Sequence, residues 1–199
     1  ETINNISDPK QLVKSSKTGF HVSTHSATNM PLESNSVDCV ITDPPYGSYV
    51  QYADLSNFWT CWLPEIRGMG KIINDSEEAV ISRKNFPGHK DVHHYQKILE
   101  KSFVECFRVL KPESFLVLTF NNREPRAWAS LLIAISKAGF EFPKNGVIFQ
   151  DGVSAYKHTS QSRRNGSVIG DFIFSFKKPL LKKKKINKNS KNSKIDYQD

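Results

Sequence analysis

The sequence predicts an α/β fold in which strands and helices alternate around a parallel sheet that an antiparallel strand pair completes. Three observations support this class. The runs VDCVIT and FLVLTF are short and predominantly apolar, as buried parallel strands are. Two longer segments carry apolar residues at helical spacing. The late run DFIFSFK alternates apolar and polar residues, which is typical of an antiparallel strand with one wetter face.

The first part of the chain predicts little regular structure. Residues 1–18 are polar and poorly patterned, and we expect a short strand over Phe20–Thr24. Ser26–Ser36 has the composition of a loop. The first clear strand is Val37–Thr42. The Asp-Pro-Pro sequence that follows it ends the strand at a sharp loop, since proline cannot donate to a ladder.

An aromatic-rich helix is predicted next. Apolar and aromatic residues recur at helical spacing within Tyr49–Leu63, and Pro64 ends the segment. We interpret Phe58, Trp59 and Trp62 as core residues. A base-stacking surface is the alternative interpretation of the same aromatic residues.

The middle of the chain contains the strongest helical pattern. Arg67–Asp91 is rich in glycine, proline and charge, and predicts a mobile excursion with one helical turn. Asp91–Leu110 predicts a helix with Asp91 as its N-cap, and Lys111-Pro112 is expected to stop it. The predicted buried stripe of this helix is Tyr95, Leu99, Phe103, Cys106, Phe107 and Leu110.

The second half of the chain predicts one more helix among three strands. A strand is expected over Phe115–Phe120. The following helix, Glu124–Ala138, has Pro125 near its first position and Gly139 after its last, where these residues are favoured. The two remaining predicted strands are Val147–Gln150 and Asp171–Lys177.

Composition predicts one folded domain with a basic tail. The 199 residues carry a net charge of +8, but residues 177–194 hold nine lysines and no acids, so the body is close to neutral. We expect a polar N-terminal segment over 1–19, a folded region over 20–178, which the motifs described below identify as a catalytic half-domain, and a disordered tail over 179–199. The tail is interpreted either as a source of non-specific DNA affinity or as a solubilising segment.

Cysteine usage indicates the redox compartment of the protein, and hydropathy shows whether the chain contains a membrane-spanning segment. Three widely separated cysteines without paired spacing argue against a disulfide framework and favour a reducing, cytoplasmic compartment. Each is expected to be a small buried residue. No apolar run approaches the length of about 18 residues that a membrane span needs, so no membrane partner is expected.

The sequence Asp43-Pro44-Pro45-Tyr46 carries the chemistry. It follows the predicted strand directly, and ligands of open α/β sheets bind beyond the carboxyl ends of the strands. An exocyclic base amine is a poor nucleophile because its lone pair is delocalised into the ring. Two acceptors that bind its two N–H groups favour a tetrahedral nitrogen. The carboxylate of Asp43 supplies one acceptor, a carbonyl of the Pro-Pro unit the other, and Tyr46 a ring for stacking.

These residues resemble a known family. VDCVITDPPYG resembles motif IV of the S-adenosylmethionine-dependent amino-methyltransferases, in which DPPY is the form most associated with adenine N6. YADLSNFWTCWL and GDFIFSFKKP are similar to later segments of a subgroup of bacterial and archaeal DNA methylases. FRVLKPESFLVLTF is similar to the helix–turn–strand module of Rossmann-like methyltransferases in general and supports only the fold class. The resemblance covers residues 20–178. It implies a Rossmann-like class I methyltransferase sheet, S-adenosyl-L-methionine as cofactor, no metal, and DNA as partner, with RNA as the weaker candidate.

The resemblance also implies roles for individual residues. The catalytic set is Asp43, Pro44, Pro45 and Tyr46, in which the aspartate and first proline orient the amine and the tyrosine stacks on a base that is flipped out of the duplex. His25–Asn29 resembles the loop that contacts the cofactor adenine, so the expected cofactor-binding residues are Ser26, Ala27 and Thr28. The expected substrate-binding residues are Gly47, Tyr49, Tyr52, Asn121 and Asn122.

Histidines and a basic loop offer further candidates. His93 and His94 are adjacent on a predicted helix, so they do not share a face and are interpreted as surface or packing residues. His158 lies in the polar loop YKHTSQSRRNG, which predicts either phosphate contacts or a solvated loop.

The glycine-rich cofactor loop of the family is not found. Gly68-Met69-Gly70 has neither a strand before it nor a helix pattern directly after it, so it fails as a nucleotide loop. We therefore expect the fourth strand onward of a methyltransferase sheet. The cofactor half is expected in a longer protein from which this piece comes, in a partner subunit, or not at all in a truncated gene.

The leading functional hypothesis is adenine-N6 methylation of DNA. Alternatives within the class are cytosine-N4 methylation of DNA and methylation of guanine N2 in tRNA. An alternative of another class is an inactive remnant that binds only nucleic acid or a partner protein.

Overall fold

The structure is a computed structural model, and it describes residues 4–5, 8–14, 19–23, 25–60, 62, 75–82, 88–152 and 170–180. The elements in chain order are β1 (Asn4–Asn5), α1 (Pro9–Lys14), β2 (Gly19–Phe20), β3 (Val37–Thr42), α2 (Tyr52–Thr60), a 3-10 turn (Asp75–Glu77), α3 (Val92–Val109), β4 (Leu110–Phe120), α4 (Pro125–Ala138), β5 (Val147–Asp151) and β6 (Gly170–Lys177).

A four-stranded mixed sheet forms the centre of the described structure. Its strand order is β3-β4-β6-β5. β3 and β4 are parallel, whereas β6 is antiparallel to both of its neighbours. The parallel pair needs a crossover, and α3 provides it. This arrangement confirms the predicted α/β class with an antiparallel pair at the end of the chain.

Two helices cover one face of this sheet and enclose the core. α3 and α4 pack against each other. Leu116, Leu118 and Phe120 alternate along β4 and are fully buried, because a strand places every second side chain on the same face. The buried residues of α3 include the predicted positions Tyr95, Leu99, Phe103 and Cys106.

The ends of both long helices follow the local sequence signals. The Asp91 side chain accepts a hydrogen bond from the His94 amide at 2.8 Å, which caps the N-terminus of α3. α4 has Pro125 in its first turn and ends at Gly139, whose φ of 98° is the left-handed conformation that glycine adopts without strain. Both helix predictions are confirmed.

The start of β4 differs from the prediction. The strand begins at Leu110 and continues through Lys111-Pro112, which were expected to lie before it. Leu110 is both the C-cap of α3 and the first partner of β3, opposite Val37. The register then shifts before Cys39 pairs with Phe115. A proline is tolerated at such an irregularity because no regular ladder bond is lost there.

β3 is less buried than its apolar sequence predicts. It lies at the edge of the sheet among the described residues, and its Ile41 side chain is 80% exposed. Cys39 is also exposed, so the expectation that each cysteine is buried is wrong for this one and right for Cys106. The apolar run is typical of a strand covered on both faces, but no described element covers the face that bears Ile41.

The core interpretation of the aromatic helix is also wrong. On α2 and just beyond it, Phe58, Trp59 and Trp62 are 60%, 63% and 71% exposed. Phe58 and Trp59 contact each other edge to face at 5.6 Å. Helical spacing identified the apolar stripe correctly, but spacing does not specify what packs against it, and no described element covers these rings.

The N-terminal region is more regular than expected. Residues 9–14 form α1, whereas no element was predicted there, and the strand expected over Phe20–Thr24 is reduced to Gly19–Phe20, which pairs in parallel with β1. The tail beyond residue 180, the loop around His158 and Gly68-Met69-Gly70 lie outside the described residues. Among the described helices, none has the length and apolar character that crossing a membrane requires.

Candidate active site

The DPPYG sequence leaves β3 at the edge of the sheet where β4 ends and β6 begins. Asp43 follows Thr42 directly, and Thr42 pairs with Leu118 in the parallel ladder. The hydroxyl of Thr119, one residue further along β4, donates to Asp43 Oδ1 at 2.8 Å. The carboxylate is thereby fixed at the carboxyl ends of both parallel strands, which is where ligands of open sheets bind.

Three consecutive carbonyl groups anchor the loop that follows Asp43. The buried Tyr95 hydroxyl donates to the Pro45 carbonyl at 2.6 Å. Asn122 Nδ2 donates to the Tyr46 carbonyl at 3.0 Å. The Ile81 amide donates to the Gly47 carbonyl at 3.1 Å. The loop therefore has a single backbone path, held from α3, from the end of β4 and from residues 75–82.

Pro44 differs from the residues that follow it. It is buried, and within the part of the chain that the structure describes no donor is bonded to its carbonyl. Because neither Pro44 nor Pro45 has an N–H group, these two residues cannot donate to a neighbouring strand, and the ladder of β3 ends before them. The Asp43 carboxylate and the Pro44 carbonyl are thus two neighbouring acceptors on one anchored loop.

Tyr46 is held by packing and by a hydrogen bond. Its ring is half-buried and lies 5.0 Å from the Phe120 ring, centroid to centroid. Its hydroxyl donates to Thr119 Oγ1 at 3.4 Å. Burial raises the pKa of Tyr46, and the charge of Asp43 contributes in the same direction. The phenol therefore stays protonated and keeps its hydrogen available to donate.

Gly47 is required at its position by both conformation and space. Its φ is 61°, in the left-handed region that side chains disfavour. A Cβ atom there would lie 3.1 Å from Asn122 Nδ2 and 3.3 Å from the Ala127 side chain. The glycine thus lets the loop turn against the end of β4 and the start of α4.

The other predicted substrate-binding residues have distinct environments. Asn122 is 5% exposed and supports the loop from behind, and Asn121 donates to the Gly170 carbonyl. The Tyr49 hydroxyl accepts from the Arg123 amide at 2.9 Å. Tyr52 is 42% exposed, and burial of its hydroxyl, followed by the charge of Asp43, raises its pKa. Tyr52 is therefore more exposed to solvent than Tyr49, and its ring lies near Asp43.

A second carboxylate near Asp43 was missed in the sequence. Asp171 is the second residue of β6, and its partner in the ladder is Gln150. Desolvation and then the negative charge of Asp43 raise the pKa of Asp171. The sequence did contain a signal for Asp171. The last strand was predicted to be antiparallel, so its first residues had to lie at the edge of the sheet where the parallel strands end.

The predicted cofactor-binding residues lie at the other end of β3. Ser26 and Ala27 line a cavity of about 670 Å³ whose wall also includes Val37 and Asp38. Thr28 is not in that wall, but its hydroxyl is 2.9 Å from that of Ser26. A six-residue strand puts its two ends about 15–20 Å apart. The described residues therefore do not form a cofactor pocket that joins these side chains to Asp43.

The histidines and other potential ligands do not form a metal centre within the described ranges. No group of three or more His, Cys, Asp or Glu side chains is arranged there to hold an ion. His94 Nε2 lies 3.0 Å from the Glu78 carbonyl oxygen, which makes it a packing residue. Lys90 forms an ion pair with Glu78 at 3.0 Å, and Glu78 also accepts from the Ala53 amide at the start of α2.

Comparison with known proteins gives one family match. A family model described as DNA methylase matches residues 37–199, which begins at the first residue of β3. Among curated proteins, none matches the chain.

Several solved structures are similar to parts of the chain. One is a protein of Thermus thermophilus, provisionally assigned as a DNA modification methylase and also solved in complex with S-adenosyl-L-methionine. Its complex has 18% identity and a TM-score of 0.40, with 90% of this chain and 56% of that chain covered. The PvuII DNA methyltransferase, which is cytosine-N4-specific, has 15% identity and a TM-score of 0.45, with 89% and 50% covered. A SAM-dependent methyltransferase of Methanosarcina mazei has 14% identity and a TM-score of 0.38, with 85% and 75% covered. The chain thus spans about half the length of the first two proteins.

Proposed function

The chain belongs to the DNA methylase family, and on that premise we propose that it forms the base-binding part of an enzyme that methylates an exocyclic amine in DNA. Membership in this family confirms the resemblance drawn from the DPPY motif and the segments after it. The cofactor of such an enzyme is S-adenosyl-L-methionine, which supplies the methyl group.

The single observation that supports this proposal is the pair of acceptors on the anchored loop. Asp43 offers a carboxylate and Pro44 offers a carbonyl without a described donor. An amine that donates one N–H to each is held with its lone pair directed away from the loop. Fixing a reactant in this way lowers a barrier by several kcal/mol, since alignment is established before the reaction.

The ring of Tyr46 is the proposed support for the base itself. Its hydroxyl is fixed by Thr119 and its ring packs on Phe120, so the ring plane is set before a base arrives. Tyr52, with its exposed ring, is the proposed second contact. A base inside a duplex does not reach such a site, so the target base is flipped out.

Within the class, we propose adenine N6 as the acceptor, because the DPPY form of the motif is most associated with it. Cytosine N4 in DNA and guanine N2 in tRNA present the same kind of exocyclic amine. The deciding experiment digests DNA and RNA after reaction with labelled cofactor and identifies the modified nucleoside. Label in N6-methyl-2′-deoxyadenosine from DNA supports the proposal. Label in N4-methyl-2′-deoxycytidine from DNA or in N2-methylguanosine from tRNA would show that adenine is not the acceptor.

The role of Asp43 is tested by methyl transfer from tritiated S-adenosyl-L-methionine to DNA, using the full-length protein. We expect Asp43→Ala to abolish transfer. Glu141→Ala is the control, because Glu141 is an exposed carboxylate beside Lys177, at the end of β6 that lies away from Asp43. Transfer that survives Asp43→Ala would sink the proposal.

We also propose that the cofactor half comes from a further structural unit, in the same protein or in a partner subunit. The exposed edge strand β3, with Ile41 80% exposed, supports this, since an unpaired edge accepts another strand. Calorimetry with S-adenosyl-L-methionine tests it. We expect little or no binding to the 199-residue chain and clear binding when the further unit is present. Tight binding to the chain alone would contradict it, and a complete protein that binds DNA without methylating it would favour an inactive remnant.

A further inference from the structure

We infer that Thr119 is a positioning residue for the methyl-transfer site, because its hydroxyl links Tyr46 to Asp43 and determines which carboxylate oxygen faces the base. This inference rests on the proposed function and adds to it a residue that lies outside the DPPY motif. Thr119 is on β4, 76 residues after Asp43 in the chain.

The two hydrogen bonds of Thr119 have a fixed direction. The Tyr46 hydroxyl donates to Thr119 Oγ1 at 3.4 Å, and Thr119 Oγ1 donates to Asp43 Oδ1 at 2.8 Å. A threonine hydroxyl has one hydrogen, and an ionised carboxylate only accepts. The hydrogen of Thr119 must therefore point to Asp43, while its lone pair receives the hydrogen of Tyr46.

The neighbouring structure keeps this direction constant. Burial raises the pKa of Tyr46, so the phenol remains a donor across the range in which enzymes work. The Tyr46 ring is held against Phe120, and the Tyr46 carbonyl is bonded to Asn122. Neither end of the Tyr46 residue is free to turn away, so its hydroxyl stays beside Thr119.

As a consequence, the two carboxylate oxygens of Asp43 have different partners. Oδ1 is occupied by Thr119. Oδ2 is left for an N–H group of the substrate amine, and the plane of the carboxylate is fixed because one of its oxygens is already bonded. Without the Thr119 hydroxyl, the exposed Asp43 side chain gains rotational freedom.

The sheet places the hydroxyl where this is possible. Thr42 and Leu118 are the last pair of the parallel ladder, so Asp43 and Thr119, the next residue of each chain segment, lie side by side just beyond it. The alternation along β4 buries Leu118 and Phe120 and turns Thr119 to the opposite face. Threonine at this position is thus the nearest side chain of the neighbouring strand to the carboxylate.

The test compares steady-state methylation by the full-length protein carrying Thr119→Val or Thr119→Ser. Valine keeps the shape and removes the hydroxyl, whereas serine keeps the hydroxyl. We expect Thr119→Val to lower kcat by roughly 10- to 100-fold, as for loss of a hydrogen bond to a charged group. We expect KM for DNA to change by less than about twofold and Thr119→Ser to retain most of the activity, because the contact orients Asp43 and does not hold DNA.

Two controls separate this inference from the proposed function. Ser175→Ala removes a hydroxyl from β6, opposite Val117 and further from Asp43, and we expect it to be active. Asp43→Ala reports on the function itself. If Asp43→Ala is inactive while Thr119→Val has wild-type kcat, the positioning role is overturned and the function stands. If Asp43→Ala is active, the function fails whatever Thr119 does.

The link to Tyr46 has its own test, which also applies if valine at position 119 prevents folding. Tyr46→Phe keeps the ring and removes the donor, and we expect kcat to fall by about two- to fivefold, since the 3.4 Å bond is long. The Tyr46 hydroxyl also interacts directly with the Asp43 carboxylate. In the double variant with Thr119→Val, we therefore expect the two losses to be less than additive, because Tyr46 acts largely through Thr119. Unchanged kcat in Tyr46→Phe, or additive losses in the double variant, would overturn the link.

Discussion

Removal of a single buried hydroxyl, in Tyr95→Phe, tests how the DPPY loop is held. Tyr95 has no exposed surface, and its hydroxyl donates to the Pro45 carbonyl at 2.6 Å. Phenylalanine fits the same space, so no cavity forms in the core. The change leaves one half-buried carbonyl without a donor, next to the Pro44 carbonyl that is proposed to hold the amine.

The size of the effect follows from the environment of this bond. An unsatisfied buried carbonyl costs about 1–3 kcal/mol, and we take about 1.5 kcal/mol because Pro45 keeps some access to water. With a urea m-value of about 2 kcal/mol/M for a chain of this size, the unfolding midpoint falls by about 0.7 M. We also expect kcat to fall, because the loop that carries Asp43 can then adopt a second backbone conformation in which the acceptors are misplaced.

Urea unfolding followed by tryptophan fluorescence measures the stability change, and tritium transfer to DNA measures kcat. Tyr52→Phe is the matched control for stability, because its ring is 42% exposed whereas Tyr95 has no exposed surface, and it should stay within about 0.5 kcal/mol of the wild type. A Tyr95→Phe protein with the wild-type midpoint and wild-type kcat would refute the view that this bond holds the loop.

Three further changes have defined outcomes. Lys178→Met should lower the free energy of unfolding by about 2 kcal/mol or more in urea titrations, because Lys178 Nζ donates to three oxygens, two of them carbonyl oxygens at the end of α3; wild-type stability would contradict this. Gly47→Ala should cost about 1–2 kcal/mol in the same titration, from its positive φ, and should also lower kcat, because the new Cβ would displace Asn122; a neutral result would show that the loop relaxes freely. Asp171→Asn should raise Tm at pH 7, because a raised folded-state pKa means that the ionised carboxylate beside Asp43 destabilises the fold above that pKa. The gain should vanish on acidification below about pH 3.9, the unfolded-state pKa of aspartate. A gain that persists there would rule out the ionised Asp171 carboxylate, which desolvation and then the charge of Asp43 disfavour, as its cause.

The sequence contained enough local information for the helices and the order of strands. α3 and α4 have caps and breakers within one residue of their ends, because Asp91 and Gly139 act on the backbone beside them. The boundary between α3 and β4 was misplaced because it is a long-range feature. Leu110 joins the strand by pairing with Val37, and nothing near Lys111-Pro112 reveals that partner.

Burial could not be predicted at the edge of the sheet. β3 and the aromatic helix α2 have core-like sequences, yet Ile41, Phe58 and Trp59 are largely exposed. An apolar pattern shows only which side chains gain from being covered. It does not identify the segment or partner that covers them, since the hydrophobic effect has no direction and any apolar surface suffices.

The sequence by itself determined that a carboxylate, two residues without N–H groups and an aromatic ring follow one another at Asp43-Pro44-Pro45-Tyr46, and the proposed acceptor role of this motif rests on that order. Only the tertiary structure decided how that chemistry is held. Tyr95, Asn122 and Thr119 reach the motif from 50 to 76 residues away. The structure also separated Ser26 and Ala27 from Asp43 by the length of β3. Hydrogen bonds act over about 3 Å, so contacts between distant parts of a chain are fixed by the packing of the sheet and not by spacing in the sequence.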